Sequence, residues 1–365
     1  MILLYLGYLG TNNIGDEVCY EAFQQSLRKW SKKKYKIISF PLHEKKSLQE
    51  FYKDTPFDMV ILGGGSLLQG NTFLNLVEEA HKMNIPVFGY GTGMDYLTEQ
   101  SIYNYKQQKN IETNQFFNNR DIDFEKIINI IKSIKFLGVR GPLTYHSLKT
   151  YNPNLTNIDI IGDAAITYTP KQDSYIIEKY LPKKASKIVS VNWGTTFNKL
   201  FGYNEEYLSG QLSECCKFLQ QKGYHIVIFP MWDIDIAYCQ KLNFDLYKSD
   251  SITIIPEVCT SAQIFHLLKC SEFSINLKLH ANVLSAAALT PFINLAYRSK
   301  GIDFAYSLEY QENTVLTNTN NLLDYIIERE HVINNNRAQF IDKLYKYKKH
   351  YIKKQQSFLN KHLLL

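Results

Sequence analysis

Short apolar runs alternate with helical stretches along most of this chain. The runs at 2–6, 36–40, 58–62, 86–90, 135–139 and 157–161 are strand-length and almost continuously apolar. That pattern belongs to strands buried on both faces of a parallel sheet. Between them the periodicity turns helical, at 47–53, 71–83 and 143–149, with a first helix ending near 32. A second alternating set follows, with strands at 188–192, 225–229, 252–255, 273–277 and 291–297 and helices at 205–222, 261–269, 281–289 and 320–330. Another helix is expected to end near 247, and 334–362 reads as a helical tail rich in Lys, Tyr, Phe and Leu. Alternation of this kind predicts an α/β fold of two Rossmann-like domains with mostly parallel sheets.

Two stretches break the rhythm. Residues 97–123 are rich in Asn, Gln and Lys with no clear period, and read as an inserted surface segment. Residues 173–187 are polar and lysine-rich with one proline, and read as a linker. The expected organisation is therefore an N-terminal domain over 1–175, a C-terminal domain over 185–332, and a tail over 333–365.

The chemistry sits at strand ends, where open parallel sheets bind ligands. Lys278 and His280 stand at the end of one strand, and the next strand, opened by Pro291, ends at Tyr297-Arg298-Ser299-Lys300. Arg140 ends another strand, and Pro142 behind it fixes the entry to a helix. Arginine suits bidentate binding of carboxylate or phosphate, but a structural ion pair is the alternative. Asp163 is open to three readings: a cap, a contact to sugar hydroxyls, or a partner that holds Arg140. Gly7, Gly10, Asn13, Gly15, Asp16 and Glu17 lie in a turn between strand and helix. Neither GxGxxG nor a phosphate-loop lysine is present, so the turn reads as a place where backbone amides approach a ligand, or where Asp16 and Glu17 cap the helix. Gly63, Gly64 and Gly65 read as a second close approach, because three successive glycines carry a high entropic cost.

Composition narrows the class. Of the 365 residues 45% are hydrophobic and 21% charged, as in ordinary globular domains, and the +6 charge forms no basic stripe. This fits an anionic substrate or peripheral membrane contact and argues against nucleic acid. The six cysteines show no metal-ligand spacing, so reduced thiols and a cytoplasmic location, including the inner face of the plasma membrane, are expected. The apolar start lacks a basic flank and reads as a strand, not a signal peptide. No metal or cofactor is expected. An oligomer is compatible with the sequence.

Five ordered blocks resemble the polysaccharide pyruvyl transferase family: Gly7 to Glu17, Asp58 to Leu68, Val139-Arg140-Gly141-Pro142-Leu143, Ile161-Gly162-Asp163, and Lys278-Leu279-His280 through Pro291 to Tyr297 and Lys300. They span roughly residues 5–308. The resemblance implies a GT-B-like fold with the active site in a cleft between the domains. It implies transfer of the pyruvyl group of phosphoenolpyruvate to two hydroxyls of a lipid-linked or polymeric cell-surface sugar, giving a cyclic ketal and phosphate. In that reading His280 moves a proton, Asp16 or Glu17 is its partner, and Arg140, Lys278 and Lys300 hold the donor with Asn13, Gly15, Gly64 and Gly65. Asp163, Asn192, Trp193 and Asp233 are candidates for the acceptor. Lys278 departs from the family, which usually has arginine there, and Asn192-Trp193-Gly194 stands where an arginine is often found. The rival readings are a sugar-nucleotide glycosyltransferase on the same fold and a non-catalytic glycan-binding relative.

Overall fold

The computed structural model describes residues 1–31, 33–44, 46–69, 71–95, 124–182, 187–197, 204–246 and 250–363. The expected insertion at 97–123 lies outside them. The chain forms two compact units. Unit 1 comprises Met1–Thr11, Asp16–Thr167 and His350–Leu365, and unit 2 comprises Asn12–Gly15 and Tyr168–Lys349.

Unit 1 is built from β1 (Ile2–Leu6), α1 (Ile14–Trp30), β2 (Lys36–Ser39), α2 (Leu48–Asp54), β3 (Met59–Leu62), α3 (Asn71–Lys82), β4 (Val87–Thr92), α4 (Phe124–Ser133), β5 (Phe136–Val139), α5 (Pro142–Tyr151) and β6 (Ile158–Ile160). Its strands lie in the order β2-β1-β3-β4-β5-β6, and all the pairings are parallel. The central strands are apolar because helices cover both faces: all four residues of β3 are buried, as are all six of β4. The strand order reverses at β1 and β3, which puts the loops after Leu6 and Leu62 at the switch point of the sheet.

Unit 2 holds α6 (Tyr175–Tyr180), β7 (Lys187–Asn192), α7 (Glu205–Gln221), β8 (Tyr224–Phe229), a 3-10 turn (Asp233–Asp235), α8 (Ile236–Asp245), β9 (Ile252–Ile254), α9 (Ser261–Lys269), β10 (Phe273–Asn276), α10 (Leu279–Ala288), β11 (Phe292–Ala296), α11 (Ser299–Ser307) and β12 (Thr314–Leu316). Its sheet runs β12-β11-β10-β7-β8-β9, again parallel throughout. Counted from β7 this is the Rossmann order, with the switch between β7 and β10.

Two readings of the sequence change. The polar stretch taken as a linker contains α6, whose Ile176 is buried. Lys300 does not close a strand: β11 stops at Ala296 and Lys300 lies in the first turn of α11. The two helical stretches expected after 320 are present as α12 (Leu322–His362), two helices joined at a kink where Asn336 leaves helical geometry at φ −126° and ψ 24°. Leu322, Ile326 and Ile333 of α12 pack in the core of unit 2. Its final turns belong to unit 1, where Phe358 meets Tyr90 and Phe136 edge-on at 5.5 and 5.7 Å. Gln355 there donates to the carbonyls of Ile161 and Asp163 and accepts from the Tyr90 hydroxyl.

Candidate functional site

In unit 1 the glycine triplet has internal causes. Tyr5, on β1, lays its ring under Gly63, where a β-carbon would meet Cζ at 2.1 Å. A β-carbon on Gly64 would meet Cys19 Sγ at 2.5 Å, and Gly65 takes φ +104°, open to glycine at little cost. The amide of Gly64 donates to the Tyr5 hydroxyl at 3.1 Å. Burial, and then the neighbouring Cys19, push the Tyr5 phenol well up from its ordinary value. The Cys19 thiol is likewise pushed up, first by burial and then by Asp163 and Asp16. Gly64 and Gly65, expected to meet a donor, are thus already required by Cys19 and by the backbone.

Arg140 follows β5 with its side chain fully buried, 3.9 Å from Asp163 across Nη1 and Oδ2. Nη2 donates to Ser66 Oγ at 3.3 Å. Nε and Nη1 are buried and have no hydrogen-bond partner among the described residues. Gly93 makes room for this guanidinium, since a β-carbon there would stand 2.5 Å from Nη2. Asp163 also accepts from the Ala165 amide at 2.9 Å. Of its three sequence readings, cap and partner of Arg140 are both present. Asp16 is buried in the first turn of α1. Glu17 reaches back to accept from the Gly10 amide at 2.7 Å, closing the turn ahead of the helix.

In unit 2 the end of β10 and the head of α10 set the other group. Lys278 is the N-cap residue of α10 and His280 lies in its first turn. The ring of His280 fills the space over Gly15, where a β-carbon would meet Nδ1 at 2.1 Å. Gly15 itself is fastened, its amide donating to Asn13 Oδ1 at 3.0 Å, while Ile14 donates to the Met231 carbonyl at 3.2 Å. Lys300 heads α11 after the neighbouring strand. Buried amides tie the two helix heads together: Asn282 Nδ2 donates to Asn294 Oδ1 at 2.9 Å, and Asn294 Nδ2 donates to the Gly301 carbonyl at 3.1 Å. Helix N-termini at successive strand ends favour anions through unpaired amides and the helix dipole.

The acceptor candidates divide. Asn192 is buried, donating to the Phe229 carbonyl at 3.1 Å and accepting from the Lys278 amide at 2.8 Å. Trp193 is only 1% exposed and packs in the hydrophobic core. These two side chains are engaged inside the unit; Asp233 alone is exposed. The residue that sequence reasoning missed is Asp235. It is fully buried, with Oδ1 3.0 Å from Lys278 Nζ. Burial holds its carboxyl above the ordinary range, against the pull of Lys278. The available signal was Gly194, where a β-carbon would stand 2.0 Å from that carboxylate.

The family model for polysaccharide pyruvyl transferases matches residues 13–299. The chain belongs to this family. Membership makes it a transferase and supports transfer of a pyruvyl group to a glycan. No curated protein matches the sequence. Among solved structures, UDP-GlcNAc 2-epimerase from Neisseria meningitidis bound to UDP-GlcNAc is similar at a TM-score of 0.61 and 12% identity, covering 100% of this chain and 99% of the other. The S. aureus MnaA-UDP structure is similar at 0.58 and 11%, covering 98% and 96%. Phytolacca americana UGT2 complexed with UDP-2fluoro-glucose and pterostilbene gives 0.57 and 9%, covering 99% and 98%. These likenesses establish a GT-B-like fold for this chain. Among the described residues no helix is long and apolar enough to cross a membrane.

Proposed function

We propose that the protein transfers the pyruvyl carbons of phosphoenolpyruvate to two hydroxyls of a lipid-linked or polymeric sugar, forming a cyclic ketal and releasing phosphate. The observation that carries this reading is His280, seated over Gly15 in the first turn of α10, within a chain that matches the family over 13–299. Imidazole is the side chain whose unperturbed pKa lies near neutrality, which suits one group to give and take protons.

The balance of the reaction sets the roles. His280 gives a proton to the vinyl methylene, while the first sugar hydroxyl adds to the central carbon and loses its own proton to a base. Asp16 is the carboxylate assigned to that base, and Glu17, on the same turn, accepts from the Gly10 amide. The second hydroxyl then forms the other C–O bond and gives its proton back to His280 as the C–O bond to phosphate breaks, and the proton held by Asp16 leaves with the phosphate. Lys300 and the head of α11 take the phosphate, whose charge grows as it leaves. Arg140 is the cation assigned to the donor's other anion.

Incubation with phosphoenolpyruvate and a panel of lipid-linked and polymeric sugars tests the proposal. The expected product gains the mass of one pyruvate less one water, with one phosphate released per ketal. Release of a nucleotide from a sugar nucleotide, with phosphoenolpyruvate untouched, would overturn it in favour of glycosyl transfer. His280→Ala should abolish the product and leave the thermal midpoint nearly in place.

A further inference from the structure

We propose that the charge of Lys278 is spent inside the protein: with Asp235 it forms a positioning pair that seats the head of α10, and so His280, and it is not a ligand of the donor. This rests on the pyruvyl-transfer reading given above.

The ammonium group has three N–H donors and no acceptor. One is directed at Asp235 Oδ1, 3.0 Å away, and one at the Thr195 carbonyl, 2.7 Å away. The rest of the group lies between two rings, 5.5 Å from the centroid of Phe197 and 5.7 Å from that of Tyr297. Among the described residues these contacts engage a lysine whose side chain is 12% exposed. An incoming anion would have to displace Asp235, exchanging one carboxylate for another in a dry place. An arginine, with five donors in a planar fork, could hold Asp235 and still present an edge to a ligand. The lysine has a single N–H left once Asp235 and Thr195 are served.

The pair is embedded in a fixed frame at the switch point of the sheet. The amide of Thr195 donates to Asp235 Oδ1 at 3.1 Å, and the amide of Lys278 donates to Asn192 Oδ1 at 2.8 Å. Glu205 accepts from the Thr196 amide at 2.5 Å and from the Thr195 and Thr196 hydroxyls, both at 3.0 Å. Phe197 is held at φ 57°, an unusual value for an aromatic residue, with its amide donating to Thr195 Oγ1 at 2.9 Å. The loop after β7, the 3-10 turn after β8 and the head of α10 therefore meet at one ion pair. Lys278 itself caps α10 by its backbone, its carbonyl accepting from the amides of Ala281 and Asn282. His280 is two residues along.

Lys278→Met, Asp235→Asn and the double variant decide the matter. In Lys278→Met, kcat should fall ~10²-fold through misplacement of His280, while KM for phosphoenolpyruvate stays within about twofold. The double variant removes both charges and should recover most of the lost kcat. A donor KM raised about tenfold or more in Lys278→Met, with kcat kept and no recovery in the double variant, would mark a donor ligand and overturn the proposal. A second readout stands apart from activity, namely the imidazole resonances of His280. They should move in each single variant and return in the double; resonances that stay put in both single variants overturn the positioning role. If a single variant fails to fold, the double must fold with those resonances in place, and its failure also counts against the pair. Wild-type protein that consumes no phosphoenolpyruvate would sink the pyruvyl-transfer reading, and the resonances would still judge the pair.

Discussion

The imidazole of His280 stands where the side chain of residue 15 would be: a β-carbon on Gly15 meets its Nδ1 at 2.1 Å and its Cγ at 2.7 Å. Gly15→Ala must therefore push the ring aside. The helix itself accepts alanine well, so the fold should persist. The expected outcome is a fall in kcat of ~10²-fold, with a thermal midpoint within a few degrees of the parent. Steady-state kinetics paired with a melting curve check this; full activity in Gly15→Ala would mean that the ring's position is immaterial.

Arg140→Met should lower stability as well as weaken donor binding. It leaves Asp163 as a buried carboxylate without its cation, a change that costs about 3–5 kcal/mol. A loss of that size lowers the melting temperature by roughly 10 °C in a unit of this length. Arg140→Met combined with Asp163→Asn should melt higher than Arg140→Met alone. Equal melting of the single variant and the parent would show that the two residues do not support each other.

Tyr5→Phe keeps the ring that Gly63 accommodates and removes the acceptor for the Gly64 amide. Leaving that buried donor unmatched costs about 1–3 kcal/mol. Urea unfolding should show a lower midpoint with an unchanged slope. A midpoint unmoved from the parent would place another acceptor at Gly64.

Acid stability has a local origin on the surface of unit 2. Glu257 accepts from the hydroxyls of Tyr180 and Tyr175 at 2.6 and 3.0 Å and from Lys179 at 2.9 Å. These bonds, that of Tyr180 foremost, lower its pKa from 4.5 to about 2. The folded value lies below the unfolded one, so the contribution is complete above about pH 4.5 and is lost as pH falls toward 2. Glu257→Gln should flatten the pH dependence of the melting temperature across that window. A parent-like slope between pH 4.5 and 2 would assign the acid response to other carboxylates.

Much of the fold was legible because parallel strands buried on both faces leave a plain signature of apolar runs. The runs at 58–62 and 273–277 became β3 and β10 with changes of one residue at an end. Helix α11 was harder, because Ser299-Lys300-Gly301 looks like a loop and its apolar residues follow only later. The chemistry was legible one residue at a time but not in pairs. Position said that Gly64 comes close to something; only the fold says that the something is Cys19, 45 residues earlier in the chain. Asp235 was hidden for the same reason. The carboxylate itself gives no sign that it will be buried against the lysine at the head of α10; only Gly194, far from it in sequence, hinted at the close approach.

The last turns of α12 give unit 1 a dependence on the order of synthesis. Tyr351, Gln355, Phe358, Leu359 and Leu363 are buried in a unit whose other residues all precede Tyr168. A ribosome adding ~5–20 residues per second needs roughly 10–40 s to pass from there to the helix that covers Tyr90 and Phe136. Over that interval the aromatic surface waits for its cover, and a chain cut short before His350 leaves it bare. Nascent chains arrested near residue 340 should therefore recruit chaperones that full-length chains release.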